Sequence, residues 1–355
     1  MEFIKPDINI DFIGRRKFAF ILSLTLILIG LTALIWRGTS LFGIDFAGGT
    51  VVQLRFSNPT NADTIREGLK PIGLDSSAIQ HFGGEGENVF LIRTDVSRSK
   101  LANLSKEVKD NLERIYGENT VIVERVEMVG PKVGKDLRQK ALLAIYYALL
   151  LIAIYISWRF EHKLMPAAIM AGAIFLGVLG LREVGTPIPM LIVAALVITR
   201  VCCWFLKLKY ALGAVSALVH DVLITVGAFA IANKEFNLTV VAALLTIIGY
   251  SLNDTIIVFD RIRENLRKGK RREFAEVVNA SINQTLSRTI LTSGTTLAVV
   301  TALFILGGGV IHDFAFALIV GVLVGTYSSI IVASPVLIAW EAKFASTRVR
   351  ATAKS

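Results

Sequence analysis

The stretch GYSLNDTIIVFDRIREN, Gly249 to Asn265, sets Asn253 and Asp254 side by side in a run that is otherwise apolar. A charged side chain at the centre of a membrane helix costs about 2.5–3.5 kcal/mol on insertion scales. Such residues face a bundle interior or a wet cavity, where they handle ions or lock helices together. Two further sites share this character. ALVHDVLITVGAFAI places His220 and Asp221 about halfway along another apolar run, and NQTLSRTILTSGTTL places Arg288 and Thr289 at the cytoplasmic start of a third.

Each site has a plain reading beside a functional one. Asp254 is either a hydrogen-bonded carboxyl that glues two helices or a group that takes up and releases a proton. Ser251, three residues earlier, shares its helical face, and Asn253, His220 and Thr292 are the other supporting polar groups. His220 and Asp221 point about 100° apart on a helix of 3.6 residues per turn, so one site cannot use both in the same way. Asp221 is then a packing or network residue, or a second coupling carboxylate. Arg288 either marks the membrane boundary or pairs with a carboxylate and favours its charged form until the pair separates.

Other chemistries find no footing. There is no G-x-x-x-x-G-K-[ST] loop for ATP, and no Ser-His-Asp or H-E-x-x-H arrangement for hydrolysis. The two cysteines, Cys202 and Cys203, are adjacent, which suits neither an ordinary disulfide nor a zinc site. No metal, cofactor or enzymatic reaction is expected. An intramembrane hydrolase using Asp221 and Asp254 would need the two at reacting distance, and nothing in the sequence fixes that. The energy source left is a gradient, worth about 2.3 kcal/mol per charge per 100 mV.

The elements that must position these residues are mostly membrane helices. Of 355 residues, 54% are hydrophobic, and several apolar runs reach the ~18 residues needed to cross a bilayer. The chain reads as a polytopic α-helical membrane protein with eight spans: 18–36, 141–158, 164–181, 189–206, 211–232, 238–259, 289–307 and 314–340. The third is interrupted by Pro166 and glycines. Arg15, Arg16 and Lys17 precede the first, which is read as an uncleaved span after a cytoplasmic segment 1–17. The net charge of +10 lies largely in short connections, the pattern that sets membrane orientation, and no module for nucleic acid appears.

Between the first two spans, residues 37–140 read as one periplasmic α+β domain. TVVQLRF alternates as a strand, NADTIREGLKPIG has helical spacing, and SAIQHF and NVFLIRT flank the hairpin signal GGEGE. An amphipathic helix to Gly117 and the strand TVIVERVEMV complete a βαββαβ order, that of a ferredoxin-like split βαβ unit. In FGIDFAGGT, Gly43, Gly48 and Gly49 suggest a tight backbone passage, and Asp45 a cap or backbone acceptor. The basic connections RFEHK, KLK and RIRENLRKGKRR, with the tail 341–355, fall on the side of the N-terminus, so both termini are expected in the cytoplasm. RIRENLRKGKRR also suits anionic membrane lipid. WRFEHKLMPAAI from Trp158 and WFLKLKYALGAV from Trp204 resemble each other, as if the pair of spans at about 164–206 were inserted into a bundle of 141–340.

Together GIDFAGGT, LVHDVLITVGAFAI, GYSLNDTIIVFDRIREN and SRTILTSGTT resemble the SecF family of the bacterial Sec protein-export machinery, within the resistance-nodulation-division superfamily. The likeness runs from Phe18 to about Trp340. It implies a multi-pass protein of the bacterial inner membrane that works with SecD, the Sec translocon channel and a translocating preprotein. It also implies use of the proton-motive force, or sodium in some relatives, late in export. The ND carboxylate of the family falls on Asp254, its arginine before T-x-x-T-S on Arg288, and its HD motif on Asp221. The inserted pair departs from the family's six spans. A second class to weigh is a half-transporter of the same superfamily that exports small molecules or lipids.

Overall fold

The computed structural model describes residues 8–82, 88–94, 101–161, 164–186, 188–268 and 273–352. Helix α1, Arg16–Arg37, begins at its basic triplet and ends at Gly38, whose φ of 52° an ordinary residue resists. It lies against α8, Lys209–Ile231, where Gly30 meets Gly227. A Cβ on Gly227 would fall 2.7 Å from the Gly30 Cα, so the missing side chains bring two backbones into contact, as small residues do between membrane helices.

After a short helix α2, Ile44–Ala47, the chain forms β1 Gly49–Phe56, α3 Ala62–Leu69, β2 Ala78–His81, β3 Val89–Thr94, α4 Leu101–Tyr116 and β4 Val121–Val129. The four strands make one antiparallel sheet in the order β2-β3-β1-β4. Alternation along β1 explains its two faces. Val52, Leu54 and Phe56 are buried with Ile65, Leu69, Val108 and Leu112 of the two helices. Gln53 and Arg55 point the other way, and both reach Glu124. The GGEGE turn, 83–87, lies outside the described residues.

Among the described residues, six helical stretches are long and apolar enough to cross a membrane: Arg16–Arg37, Pro131–Phe160, Lys209–Ile231, Leu238–Arg267, Phe274–Leu306 and Ile311–Phe344. The protein is therefore a multi-pass helical membrane protein with a small sheet outside the bundle. The inserted pair also forms helices, α6 Leu164–Glu183 and α7 Ile188–Phe205, whose apolar parts, Met165–Leu181 and Met190–Phe205, are shorter. Pro166 does not interrupt α6, because it stands in the first turn, where its missing N–H has no helical partner to lose.

Several helices run beyond the expected spans. Helix α5, Pro131–Glu161, starts directly after the sheet with proline at its first position. Helix α9 is Leu238–Arg267, and α10, Phe274–Leu306, begins 15 residues before the expected 289. Its early turns bury Val277, Val278 and Ile282. On the same segment Asn279 and Asn283 clamp the backbone of the N-terminal strap, each donating to Ile10 O at 3.0 and 2.9 Å. The last expected span lies in one continuous helical stretch made of α11, Gly309–Ser328, a π-turn at Ser329–Ala333, and α12, Ser334–Thr352. Pro335 cannot donate to the turn before it, and next to it Ser334 Oγ donates to Ser329 O at 3.2 Å.

Candidate functional site

Helices α8, α9, α10 and α11 carry the polar residues of the bundle interior. Asp221 and Asp254 are each only 1% exposed. Asp221 is fully engaged. Its Oδ2 accepts from Ser251 Oγ of α9 at 2.5 Å and from Ser328 Oγ of α11 at 2.8 Å. Its Oδ1 lies 2.9 Å from His220 Nδ1, and His220 Nε2 lies 3.0 Å from Ser23 Oγ of α1. Ser23 continues to the Tyr327 hydroxyl at 3.1 Å, which donates to Ala19 O at 2.8 Å. One polar chain therefore joins α1, α8, α9 and α11.

The donor count in this chain has a chemical consequence. With the Tyr327 proton on Ala19 O, the Ser23 proton can go to Tyr327, and Ser23 then accepts from His220 Nε2–H. The bond between Nδ1 and Asp221 Oδ1 then holds one proton, on the imidazole or on the carboxyl. The two adjacent residues thus serve one network in different ways, Asp221 accepting from two serines and His220 bridging Asp221 to Ser23.

Asp254 is held differently. Its Oδ2 accepts from Ser293 Oγ of α10 at 3.3 Å, and Thr326 of α11 donates to that serine at 2.7 Å. A carboxylate has about four lone-pair sites, so one long bond leaves it poorly satisfied beside Asp221. One helical turn before Ser293, the Thr289 hydroxyl is buried without a partner among the described residues, as is the Tyr250 hydroxyl one turn before Asp254.

The other expected residues fall as follows. Ser251 serves Asp221, because α11 approaches α9 through glycines: a Cβ on Gly325 would lie 2.9 Å from Ser251 Cβ, and one on Gly321 would strike Ile247. Asn253 is exposed, while Asp254 beside it is buried. Thr292 Oγ1 bonds back to Arg288 O and Thr289 O at 3.0 Å, within its own helix. Arg288 is exposed near the middle of α10, not at the start of that helix, and no ion pair joins it to Asp254 among the described residues. Ser293, Thr326, Ser328, Ser23 and Tyr327 were not singled out from the sequence.

At the outer end, Gly48 and Gly49 take φ of 79° and 117°, and a Cβ on Gly48 would lie 2.9 Å from Pro131 Cα. The double glycine lets the sheet start against the first turn of α5. Gly43 N–H donates to Phe236 O at 2.7 Å. Asp45 Oδ2 accepts from Leu238 N–H at 2.9 Å, and Asn237 accepts from Val240 N–H at 2.9 Å, so two side chains satisfy the first turn of α9.

Comparisons to known proteins identify the family. The family described as "Protein export membrane protein SecD/SecF, C-terminal" matches residues 107–198 and 182–343, and the "SecD/SecF GG Motif" matches residues 42–60. The chain belongs to the SecF family. A protein translocase subunit SecF from Calditerrivibrio nitroreducens is 43% identical over 337 residues, covering 94% of this chain and 95% of that one. One from Magnetococcus marinus is 44% identical over 343 residues, covering 95% and 94%.

Among solved structures, SecDF from Thermus thermophilus, described as a translocon-associated membrane protein, superposes with a TM-score of 0.70 at 31% identity. SecDF in a super-membrane-facing form gives 0.59 at 30%. This SecF-family chain is covered to 95% and 98%, but it spans only 39% and 40% of those SecDF chains. The two stretches matched by the C-terminal family overlap at residues 182–198, inside the inserted pair.

Proposed function

We propose that this SecF-family chain is a non-enzymatic subunit of Sec-dependent protein translocation that works with SecD and couples the proton-motive force to late steps of polypeptide export. The observation that carries the reading is Asp254, buried in an apolar bundle with a single long hydroxyl bond. A charge there is poorly compensated and a neutral carboxyl is not, so taking up a proton changes what the bundle prefers. Charged, the carboxylate attracts Arg288 and the unpartnered Thr289 hydroxyl of α10. Neutral, it needs no more than Ser293. Proton flow then works α10 and α11 against α9, with Asp221 as the fixed network beside them.

In this reading the sheet is a ferredoxin-like periplasmic domain of residues 37–140, a reading supported by its element order and its strand order β2-β3-β1-β4. Segment 1–17 and the tail 341–355 are cytoplasmic in the bacterial inner membrane, α1 spans at 18–36, and α6 and α7 cross with the six longer stretches of the bundle. The basic connections meet anionic lipid on the cytoplasmic side. The Sec translocon channel and the emerging preprotein are the further partners. Spanning two fifths of the SecDF chains supports a role as one half of a larger assembly.

The deciding experiment is export into energised inverted membrane vesicles carrying SecD and either wild-type chain or Asp254→Asn. Assembly with SecD is expected to survive, and the stimulation by the proton-motive force to vanish. Full stimulation in the variant overturns the reading.

A further inference from the structure

The sheet is joined to the bundle covalently at both ends, from α1 through α2 into β1 and from β4 through Gly130 into α5. It also rests on the connection between α8 and α9, residues 233–237. There Phe42 and Phe236 form a parallel bridge, with Phe236 N–H donating to Leu41 O at 2.7 Å as Gly43 donates to Phe236 O. Over this bridge Arg93 of β3 donates to Phe42 O at 2.6 Å and lies 3.3 Å from Glu235 Oε1.

A cavity of about 210 Å³ lies beside these contacts, between the helix-free face of the sheet and the bundle. Its acids are already matched: Asp45 to Leu238 N–H, Glu127 to Arg125, Glu235 to Arg93, and Asp313 to Lys234 at 2.6 Å. The seam is self-neutralised, so its chemistry is that of a closure and not of a ligand site.

We infer that Arg93 and Glu235 are positioning residues that clasp the outer sheet to the α8–α9 connection, so that the helices bearing Asp221 and Asp254 move the sheet with them. The consequence for export rests on the coupling role proposed for Asp254. The clasp itself does not.

The charge environment gives the clasp a pH response. Glu235 faces Arg93 from β3, Arg37 from the end of α1, Lys234 on its own connection, Asp313 and His312 at the start of α11, Asp45 before β1, and Arg125 and Glu127 from β4. Burial pushes its carboxyl above the ordinary range, against the pull of Arg93 and then Arg37 and with a smaller push from Asp313. Opening the seam hydrates the group and returns it toward its ordinary value, about 4.3. The closed form therefore binds the proton more readily, and by linkage acidification favours closure while rising pH loosens it. The change falls on the alkaline side of the ordinary glutamate range.

Pulsed electron-paramagnetic distances test this on the full chain in lipid nanodiscs. Spin labels are placed at Gln80→Cys of β2 and Thr239→Cys of α9, with Cys202 and Cys203 replaced by serine. The wild-type distance is expected to lengthen from mildly acidic to mildly alkaline buffer. Glu235→Gln, neutral but still an acceptor for Arg93, keeps the short distance throughout, and Arg93→Ala shows the long one throughout. Asp254→Asn retains the wild-type response, which separates the clasp from the coupling reading. A wild-type distance that ignores pH, a Glu235→Gln variant that follows wild type, or loss of the response in Asp254→Asn overturns the inference.

Discussion

Ser251 stands three residues before Asp254 on α9, yet its hydroxyl donates to Asp221 of α8 at 2.5 Å. One face of α9 thus serves two carboxylates at different depths, and the serine belongs to the well-satisfied one. A hydrogen bond to a charged group contributes about 1.5–3 kcal/mol. Ser251→Ala is therefore expected to lower the thermal midpoint of the purified chain while leaving export stimulation by the proton-motive force largely intact. A variant with wild-type stability but lost stimulation would move Ser251 from the network to the coupling site.

The crossing of α1 on α8 gives a second prediction. Gly227→Ala places a methyl 2.7 Å from Gly30 Cα, which is backbone and cannot swing aside. The two helices must separate, at a cost of about 1–3 kcal/mol typical of overpacking. The same separation stretches the Ser23–His220 bond, since Ser23 is on α1. Disulfide crosslinking between cysteines introduced on α1 and α8 is expected to slow several-fold. Unchanged crosslinking would show that the two helices do not touch at these glycines in the membrane.

Thr289 supplies a third. Its hydroxyl is buried and has no partner among the described residues, so it bears a desolvation cost with no return from them. Thr289→Val keeps the shape and removes that cost, and the variant is expected to be as stable as wild type or more so, by up to about 1 kcal/mol. Chemical denaturation of the chain alone reads this directly. A loss of stability instead would mean that the hydroxyl has a partner.

How far the sequence reaches is clear from these residues. Asp254 and Asp221 stand out because a carboxylate in an apolar run is costly wherever it lies. The strand β1 stands out because Val52, Leu54 and Phe56 alternate with Gln53 and Arg55. The partners of the carboxylates do not stand out. Serine and threonine hydroxyls in membrane helices commonly bond to the carbonyl one turn back, as Thr292 does, so nothing along the chain marks Ser293 or Ser328 as different. Which hydroxyl meets which acid depends on helix depth and rotation, set here by Gly321 and Gly325 against α9. The π-turn escapes for a related reason, since an apolar run reads the same whether its hydrogen bonds skip four residues or five.

The contrast between the two acids gives the last prediction. Asp221 accepts from Ser251 and Ser328 on one oxygen and meets His220 on the other. Asparagine keeps one acceptor oxygen for the two hydroxyls, but its amide can meet Nδ1 with only one N–H and leaves the other stranded in the buried network, at about 1–3 kcal/mol. Among the described residues Asp254 accepts only from Ser293, a bond that the amide oxygen of Asp254→Asn can also accept. The first variant is expected to lose thermal stability and yield. The second is expected to fold and assemble as wild type but to respond no longer to the proton-motive force. Measuring both variants for thermal midpoint and for energised export separates the roles. An Asp221→Asn chain as stable as wild type, or an Asp254→Asn chain that fails to fold, would mean that the two carboxylates have exchanged their parts.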